Sequence, residues 1–286
     1  MASAAQVAVV TDSTALYPCG EAPPGVTVVP LQIIIDDECF AEDAEGASPE
    51  AVLAAFAAKR KVSTSRPAPT TMRDVYNRLA AQGYDEILSV HLSAELSGTL
   101  ESAQLAAREV SIPVTALDTR AVGPAVGFAA AAAVAALRDG ASVTEAAAAA
   151  KARAEATRTL IYVDSLEPLR RGGRIGTAAA LLGSALAVKP LLTLGEGRVV
   201  VMEKVRTAQR ALSRMEELAV EAAGEGAVEV AVGHLAALDR AERLGSLLTA
   251  RLGDRLAVPL HCGEVGAGLG AHVGPGMISV VVAPAL

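Results

Sequence analysis

Residues 86–100 read EILSVHLSAELSGTL, an apolar run that passes through a short polar loop into the start of a helical pattern. Residues 86–93 are rich in Ile, Leu and Val, which is typical of a buried strand. Ser97, Gly98 and Thr99 then stand where a helix should begin, so their hydroxyls and free N–H groups face outward. A strand that leads through a loop into a helix is the repeating unit of an α/β fold.

The same alternation of short Val/Ile-rich runs and longer Ala/Leu-rich segments continues along the chain, and it predicts parallel strands joined by helices. Ser48 before Pro49 is an N-cap signal, and Ser142 with Glu145 forms a capping box. We predict further helices within 124–156, 207–223 and 238–252, and strands at 6–12, 26–35, 86–93, 113–119, 159–165, 198–205, 228–235, 256–265 and 277–284.

The Ala-rich helices of 124–156 end just before the strand predicted at 159–165, which places a domain boundary near residue 155. A chain of 286 residues is long for a single hydrophobic core and is long enough to form two domains of ordinary size. We therefore predict two α/β domains, residues 1–155 and residues 156–286.

Composition excludes several classes of protein. The net charge of −7 and the aromatic content of 2% argue against a nucleic-acid surface, which needs a basic stripe or stacking rings. The uncharged stretch 121–137 is slightly short for a membrane span, so we predict a buried helix and no stable membrane insertion. Cys19, Cys39 and Cys262 are far apart and odd in number, which indicates reduced thiols in a cytoplasmic protein. The N-terminal residues lack the basic start of a signal peptide.

Common cofactor and catalytic motifs are absent from the sequence. It contains no phosphate-binding P-loop, dinucleotide fingerprint, metalloprotease motif, nucleophile elbow or kinase signature. The four histidines show no metal-ligand spacing with cysteines or carboxylates. We therefore expect neither a cofactor nor a metal ion.

Polar loops at the predicted strand ends remain as candidate sites, because open α/β sheets bind ligands there. They are TDST (11–14), KVSTSRPAP (61–69), the loop 91–100, LRRGGRIG (169–176), and the glycine-rich segment 266–280 with His272. Each also has a structural interpretation: a helix cap, a solvated turn or a structural histidine. The residues alone leave both interpretations open.

Seven motifs in order resemble the DegV family: TDST, STSRP, LSAELSGT, RRGGRIG, KP-LLTLGEGRV, EKVRT and AHVGPG, within residues 6–284. The resemblance implies two α/β domains, with a mostly parallel sheet in the first, a mixed sheet in the second, and a lipid tunnel between or beside them. It also implies that the protein holds a long-chain fatty acid. A separate ATP-dependent kinase subunit would then convert the carboxylate of that fatty acid to an acyl phosphate.

The resemblance implies these ligand-binding residues: Ser63, Thr64, Ser93 or Ser97, Arg206 and His272. We add Gly98 and Thr99, because a helix start binds anions. The positive charges of Arg66, Arg170, Arg171 and Arg174 make these four arginines candidate contacts for the headgroup or the partner. The chain departs from the family pattern at Ala94, Arg66 and Gly123, where serine, glutamine and serine are common. Ala94 leaves open which serine meets the carboxylate.

These observations lead to a non-catalytic fatty-acid-binding subunit as the predicted function. An aliphatic core poor in aromatic residues suits an acyl tunnel, and burial of a sixteen-carbon tail contributes on the order of 10 kcal/mol. One alternative is a carrier or regulator that binds another lipid and has no kinase partner. The other is an enzyme, either a serine hydrolase of acyl esters that uses Ser97 with His272 or a phosphotransferase. Contact with a membrane would be transient.

Overall fold

The computed structural model describes residues 5–17, 22–42, 44, 46–181 and 189–286. Its strands are β1 (Val7–Asp12), β2 (Val26–Val29), β3 (Gln32–Ile35), β4 (Glu38–Ala41), β5 (Val62–Ser65), β6 (Glu86–His91), β7 (Val114–Asp118), β8 (Arg158–Tyr162), β9 (Lys189–Gly195), β10 (Arg198–Val205), β11 (Val228–His234), β12 (His261–Glu264) and β13 (Ile278–Pro284). Its α-helices are α1 (Pro49–Ala57), α2 (Pro69–Ala81), α3 (Thr99–Ala107), α4 (Pro124–Arg138), α5 (Val143–Ala156), α6 (Glu167–Arg171), α7 (Ala208–Ala223), α8 (Leu238–Leu252) and α9 (Ala267–Val273).

The N-terminal sheet has four strands in the order β2-β1-β6-β7, and every neighbouring pair is parallel. Alternate residues of β1 point to opposite faces, as the pleat of a strand requires. Val10 packs with Met72 and Tyr76 of α2, whereas Val9 packs with Phe128 of α4. The sheet is therefore covered by helices on both faces, and the predicted parallel α/β arrangement is confirmed.

The C-terminal sheet has six strands in the order β10-β9-β8-β13-β11-β12. Only the β11–β12 pair is parallel, so the sheet is mixed, as expected from the family resemblance. Val280 and Val282 of β13 pack with the core formed under α7 and α8, while Val281 and Ala283 pack with the core of the N-terminal sheet. β13 is buried on both faces and joins the two halves of the molecule.

A third sheet, of three antiparallel strands in the order β4-β3-β5, differs from the sequence prediction. The strand predicted at 26–35 is two strands in different sheets, because Pro30 cannot donate a ladder hydrogen bond between β2 and β3. The stretch 62–65, predicted as a loop, forms β5 by pairing with β3. The inner face of the three-stranded sheet packs on α1 and α9.

Other element predictions are confirmed or corrected individually. The Ser48 cap and the Ser142–Glu145 capping box are both present. The strand predicted at 256–265 covers only His261–Glu264, and the glycine-rich segment 266–280 contains α9. The sequence prediction also omitted β4, β9, α2 and α6, of which α6 covers the start of the stretch predicted as a turn at 169–176. Cys39 and Cys262 are free thiols, whereas Cys19 and residues 1–4 lie outside the described residues.

The uncharged stretch 121–137 overlaps α4, whose residues from Pro124 to Ala130 are all buried. This agrees with the predicted buried helix. Within the described ranges, no helix combines the length and the apolar character needed to cross a membrane.

Candidate functional site

A pocket lies where the three sheets approach one another, and it holds about 640 Å³ of space when its solvent-filled mouth is included. Its walls are mostly aliphatic and come from both halves of the chain: Leu31, Leu92, Leu96, Val122, Ile161, Leu169, Leu192, Val199, Leu269 and Val273. Its polar lining consists of Thr14, Thr64, Ser97, Arg174 and His272. Such a pocket suits a ligand with a long apolar part and one polar group. We call Thr64, Ser97, Arg174 and His272 the polar wall.

Thr64 and His272, which are far apart in the sequence, form the central contact of the polar wall. Thr64 Oγ1 lies 2.7 Å from His272 Nε2. β5 presents Thr64 on the same face as Val62, because it pairs opposite Ile33 while Val62 pairs opposite Ile35. Ser63 alternates to the opposite face of the strand, so the structure separates these two predicted ligand-binding hydroxyls.

The protonation of His272 follows from its surroundings. Burial and the nearby Arg174 cation lower the pKa of His272 to about 4, so the ring is neutral at pH 7. Its Nδ1 is buried and has no hydrogen-bond partner among the described residues. Because no described residue gives Nδ1 an acceptor for a proton, we assign the ring proton to Nε2. Nε2–H then donates to Thr64, which leaves the Thr64 hydroxyl proton free for a ligand oxygen.

The structure distinguishes the two candidate serines by position. Ser97 lines the pocket, and its hydroxyl lies 2.8 Å from that of Thr99. Ser93 is fully buried, and its hydroxyl donates to Gly197 O at 2.8 Å in the turn between β9 and β10. Ser93 therefore connects the two halves of the molecule, whereas Ser97 is available to a ligand. Gly98 immediately precedes α3, where Thr99 is the first residue.

The three arginines of the RRGGRIG motif occupy different environments. Arg174 lines the pocket, and its Nε donates to Leu96 O at 2.8 Å while Nη1 donates to Gly172 O. Arg170 and Arg171 are exposed, and both pair with Glu167, which holds the pKa of Glu167 at about 2. Only Arg174 places its charge at the pocket.

Arg66 connects the end of β5 to the start of α3. Its Nη1 donates to Gly98 O at 3.2 Å and forms an ion pair with Glu101. The arginine that replaces the common glutamine thus holds the chain segment beside Ser97. Its side chain is 37% exposed at this edge of the molecule.

Arg206 is a predicted ligand-binding residue that lies far from the pocket. It is exposed and directly follows β10, whereas the pocket contact of β10 is Val199 near its other end. A rise of about 3.3 Å per residue separates these positions by roughly 20 Å along the strand. Arg206 therefore lies on the surface at the far end of β10.

The TDST loop contributes a buried hydrogen-bonded chain that sequence reasoning left undecided. Asp12 accepts hydrogen bonds from the backbone N–H and hydroxyl of Thr14, and its other oxygen lies 2.9 Å from His91 Nδ1. His91 Nε2 is 2.7 Å from the Ser89 hydroxyl, which contacts that of Tyr76. Burial alone would raise the pKa of Asp12, but the hydrogen bonds, led by His91, hold it below its usual value. Asp12 thus caps the turn that brings Thr14 to the pocket.

The model of the DegV family, described as a family of uncharacterised proteins, matches residues 6–285. The chain belongs to the DegV family. A DegV domain-containing protein of Streptomyces coelicolor is 50% identical over 279 residues, which cover 96% of this chain and 98% of that protein. The resemblance inferred from the seven motifs is confirmed.

Two solved DegV structures share the fold of this chain. One is a DegV family protein from Thermus thermophilus described for its fatty acid binding, with a TM-score of 0.87 and 30% identity. The other is DegV from Bacillus subtilis, described as a fatty acid binding protein, with a TM-score of 0.87 and 29% identity. Each match covers 98% of this chain and 100% of the other.

Proposed function

We propose that the chain binds one long-chain fatty acid in the pocket, with its tail on the aliphatic walls and its carboxylate at the polar wall. The observation that carries this proposal is the Thr64–His272 pair at the side of a mostly aliphatic cavity. The fatty acid binding described for the Thermus and Bacillus relatives supports it.

The tail supplies most of the binding free energy. Burial of each CH₂ contributes about 0.8 kcal/mol, whereas an ordinary hydrogen bond contributes about 1 kcal/mol. Affinity then rises with chain length until the pocket is filled. The polar wall is left with the task of orienting the carboxylate.

The polar wall suits a carboxylate that must remain reactive. In the inferred tautomer of His272, the Thr64 hydroxyl can donate its proton to the carboxylate. The Ser97 hydroxyl can donate to the carboxylate as well, when the Thr99 hydroxyl donates to Ser97 Oγ. Arg174 adds positive charge while its Nε and Nη1 donate to backbone carbonyls. Neutral donors fix one carboxylate oxygen without the two-point pairing of a free guanidinium, so the second oxygen stays available.

We propose further that a separate ATP-dependent kinase subunit uses this second oxygen to form an acyl phosphate in the cytoplasm. The chain itself would be the carrier and contribute no catalytic residue. This part of the proposal rests on the family resemblance. Arg66, Arg170, Arg171 and Arg206 are the cations that we assign to the surface facing such a partner.

The pocket geometry does not support the serine hydrolase alternative. Ser97 pairs with Thr99, and His272 pairs with Thr64. His272 Nδ1 has no hydrogen-bond partner among the described residues, so no carboxylate orients the ring as a catalytic triad requires. Carriage of a different lipid remains the competing proposal, and ligand identification separates the two.

Native mass spectrometry of the purified protein, followed by solvent extraction, tests the proposal. Because each buried CH₂ adds about 0.8 kcal/mol, we expect one retained fatty acid of roughly 14–18 carbons. Leu96→Trp places a larger side chain on the pocket wall and should abolish retention. Leu247→Trp on the exposed face of α8 is the matched control. A different lipid class, or no retained fatty acid after addition of palmitic acid, would contradict the proposal.

A further inference from the structure

Glu42, at the end of β4, contacts two other parts of the fold that border the pocket. Its Oε1 accepts a hydrogen bond from Gly268 N–H at 2.6 Å, and its Oε2 accepts one from the Ser13 hydroxyl. Ser13 Oγ in turn accepts from Leu31 N–H at 2.9 Å. One half-buried carboxylate therefore connects the three-stranded sheet, the end of β1 and the first turn of α9.

α9 depends on such contacts for its position. It has seven residues, two of which are glycines, and isolated helices shorter than about 12 residues are marginal in water. A Cβ at Gly266 or Gly268 would lie 2.5 or 2.8 Å from a Glu42 carboxylate oxygen. The missing side chains thus admit the carboxylate to the helix N-terminus, where negative charge is stabilising.

Glu42 joins the two elements that supply the partners of the Thr64–His272 hydrogen bond. The three-stranded sheet carries Thr64 on β5, and α9 carries His272. Their 2.7 Å hydrogen bond tolerates little relative movement, because hydrogen bonds weaken steeply outside normal distances and angles. α9 also supplies Leu269 and Val273 to the pocket wall.

We infer that Glu42 is a positioning residue for the headgroup site. It clamps α9 to the three-stranded sheet and so keeps His272 Nε2 within hydrogen-bonding distance of Thr64 Oγ1. The inference rests on the proposed function for the role of that contact. Glu42 lies outside all seven family motifs of the sequence.

Glu42→Gln tests the clamp with little change in volume. Glutamine keeps one acceptor oxygen for Gly268 N–H, but its amide can contact Ser13 Oγ only by donating to it, so the charge-assisted hydrogen bond from the Ser13 hydroxyl is lost. We expect delipidated Glu42→Gln to bind palmitic acid about tenfold more weakly by calorimetry, the effect of one lost charge-assisted hydrogen bond. Glu38→Gln, at the start of β4 and with a 70% exposed side chain, should bind like the wild type. Ser13→Ala should weaken binding in the same direction but less.

A double-mutant cycle separates positioning from general stabilisation. If Glu42 acts through His272, Glu42→Gln should change palmitic acid affinity by less than about twofold in a His272→Ala background. The same loss in both backgrounds would overturn the inference.

Nitrogen chemical shifts of the His272 imidazole give a readout that needs no ligand. They should change in delipidated Glu42→Gln and stay unchanged in Glu38→Gln, because only the first substitution loosens α9. Unchanged shifts in Glu42→Gln would also overturn the inference. If the wild type fails to bind palmitic acid, the proposed function is refuted. The chemical shifts of the His272 nitrogens then still test whether Glu42 positions His272.

Discussion

At the scale of single residues, His272 shows how its surroundings fix the chemistry of a side chain that the sequence alone leaves ambiguous. Burial and Arg174 lower its pKa to about 4, and Thr64 occupies its Nε2. A neutral ring can orient the Thr64 hydroxyl without adding a second cation beside Arg174. His272 therefore acts by directing a hydroxyl proton, and its charge plays no part at neutral pH.

The low pKa of His272 predicts a specific loss of stability in acid. The unfolded residue titrates near 6.5, so between pH 6.5 and about 4 the unfolded chain binds more protons than the folded protein. The free energy of unfolding should thus fall as pH drops through this window, by about 2 kcal/mol after allowance for the partial exposure of the ring. Urea unfolding at pH 7 and pH 4.5 measures this fall.

His272→Gln is the comparison that isolates this titration. Other groups with lowered pKa values, including Asp12 and Asp164, also make the folded protein less stable in acid, and both proteins contain them. The wild type should lose more stability than His272→Gln between the two pH values. Equal losses would show that His272 titrates normally in the folded protein.

At the scale of secondary-structure elements, β5 determines which hydroxyls of the STS sequence can meet a ligand. Thr64 faces His272 and the pocket, while Ser63 and Ser65 lie on the opposite face of the strand. This alternation is invisible when the stretch is interpreted as a turn. It assigns different roles to neighbouring residues of the same chemical type.

The pleat of β5 predicts opposite outcomes for two conservative substitutions. Thr64→Val keeps the shape of the side chain but removes the hydroxyl, so we expect about tenfold weaker binding of palmitic acid. Ser63→Ala removes a hydroxyl on the opposite face and should leave the affinity unchanged. Calorimetry on the delipidated proteins measures both. Comparable losses in the two variants would mean that the ligand is not held on the Thr64 face of β5.

Some elements were predictable from the sequence and others were not, for physical reasons. The helix caps at Ser48 and Ser142 and the apolar strands β1, β6 and β13 are encoded by local sequence. β5 is not, because four hydroxyl-rich residues before a proline form a strand only through their pairing with β3. Arg206 shows the same limit: its motif is local, but its distance from the pocket depends on the length of β10.

At the scale of the whole molecule, the pocket exists only because distant segments pack together. Leu96, Leu192 and Leu269 line one cavity although they come from a loop after β6, from β9 and from α9. Composition and the family resemblance predicted an aliphatic tunnel, but neither locates its walls. The Glu42 clamp belongs to the same class of feature, since no local pattern connects it to His272.

The shared core predicts that the two halves unfold together. Ala231, Val281 and Ala283 of the C-terminal sheet pack in the same cluster as Val9 and Phe128 of the N-terminal half. Although residues 1–155 and 156–286 are predicted as separate domains, we expect a single thermal transition by calorimetry. The pocket is lined from both sides of that boundary, so bound ligand should stabilise both halves at once.

Thermal unfolding with and without palmitic acid measures whether the two halves of the molecule unfold together. At a free concentration one hundred times its Kd, a ligand stabilises the folded state by about 2.7 kcal/mol, which corresponds to a rise in Tm of roughly 4–5 °C for a chain of 286 residues. The delipidated wild type should show one transition that moves upward as a unit, and Leu96→Trp should show one transition that does not move. Two transitions, of which only one responds to palmitic acid, would mean that the halves fold independently and that the ligand contacts only one of them.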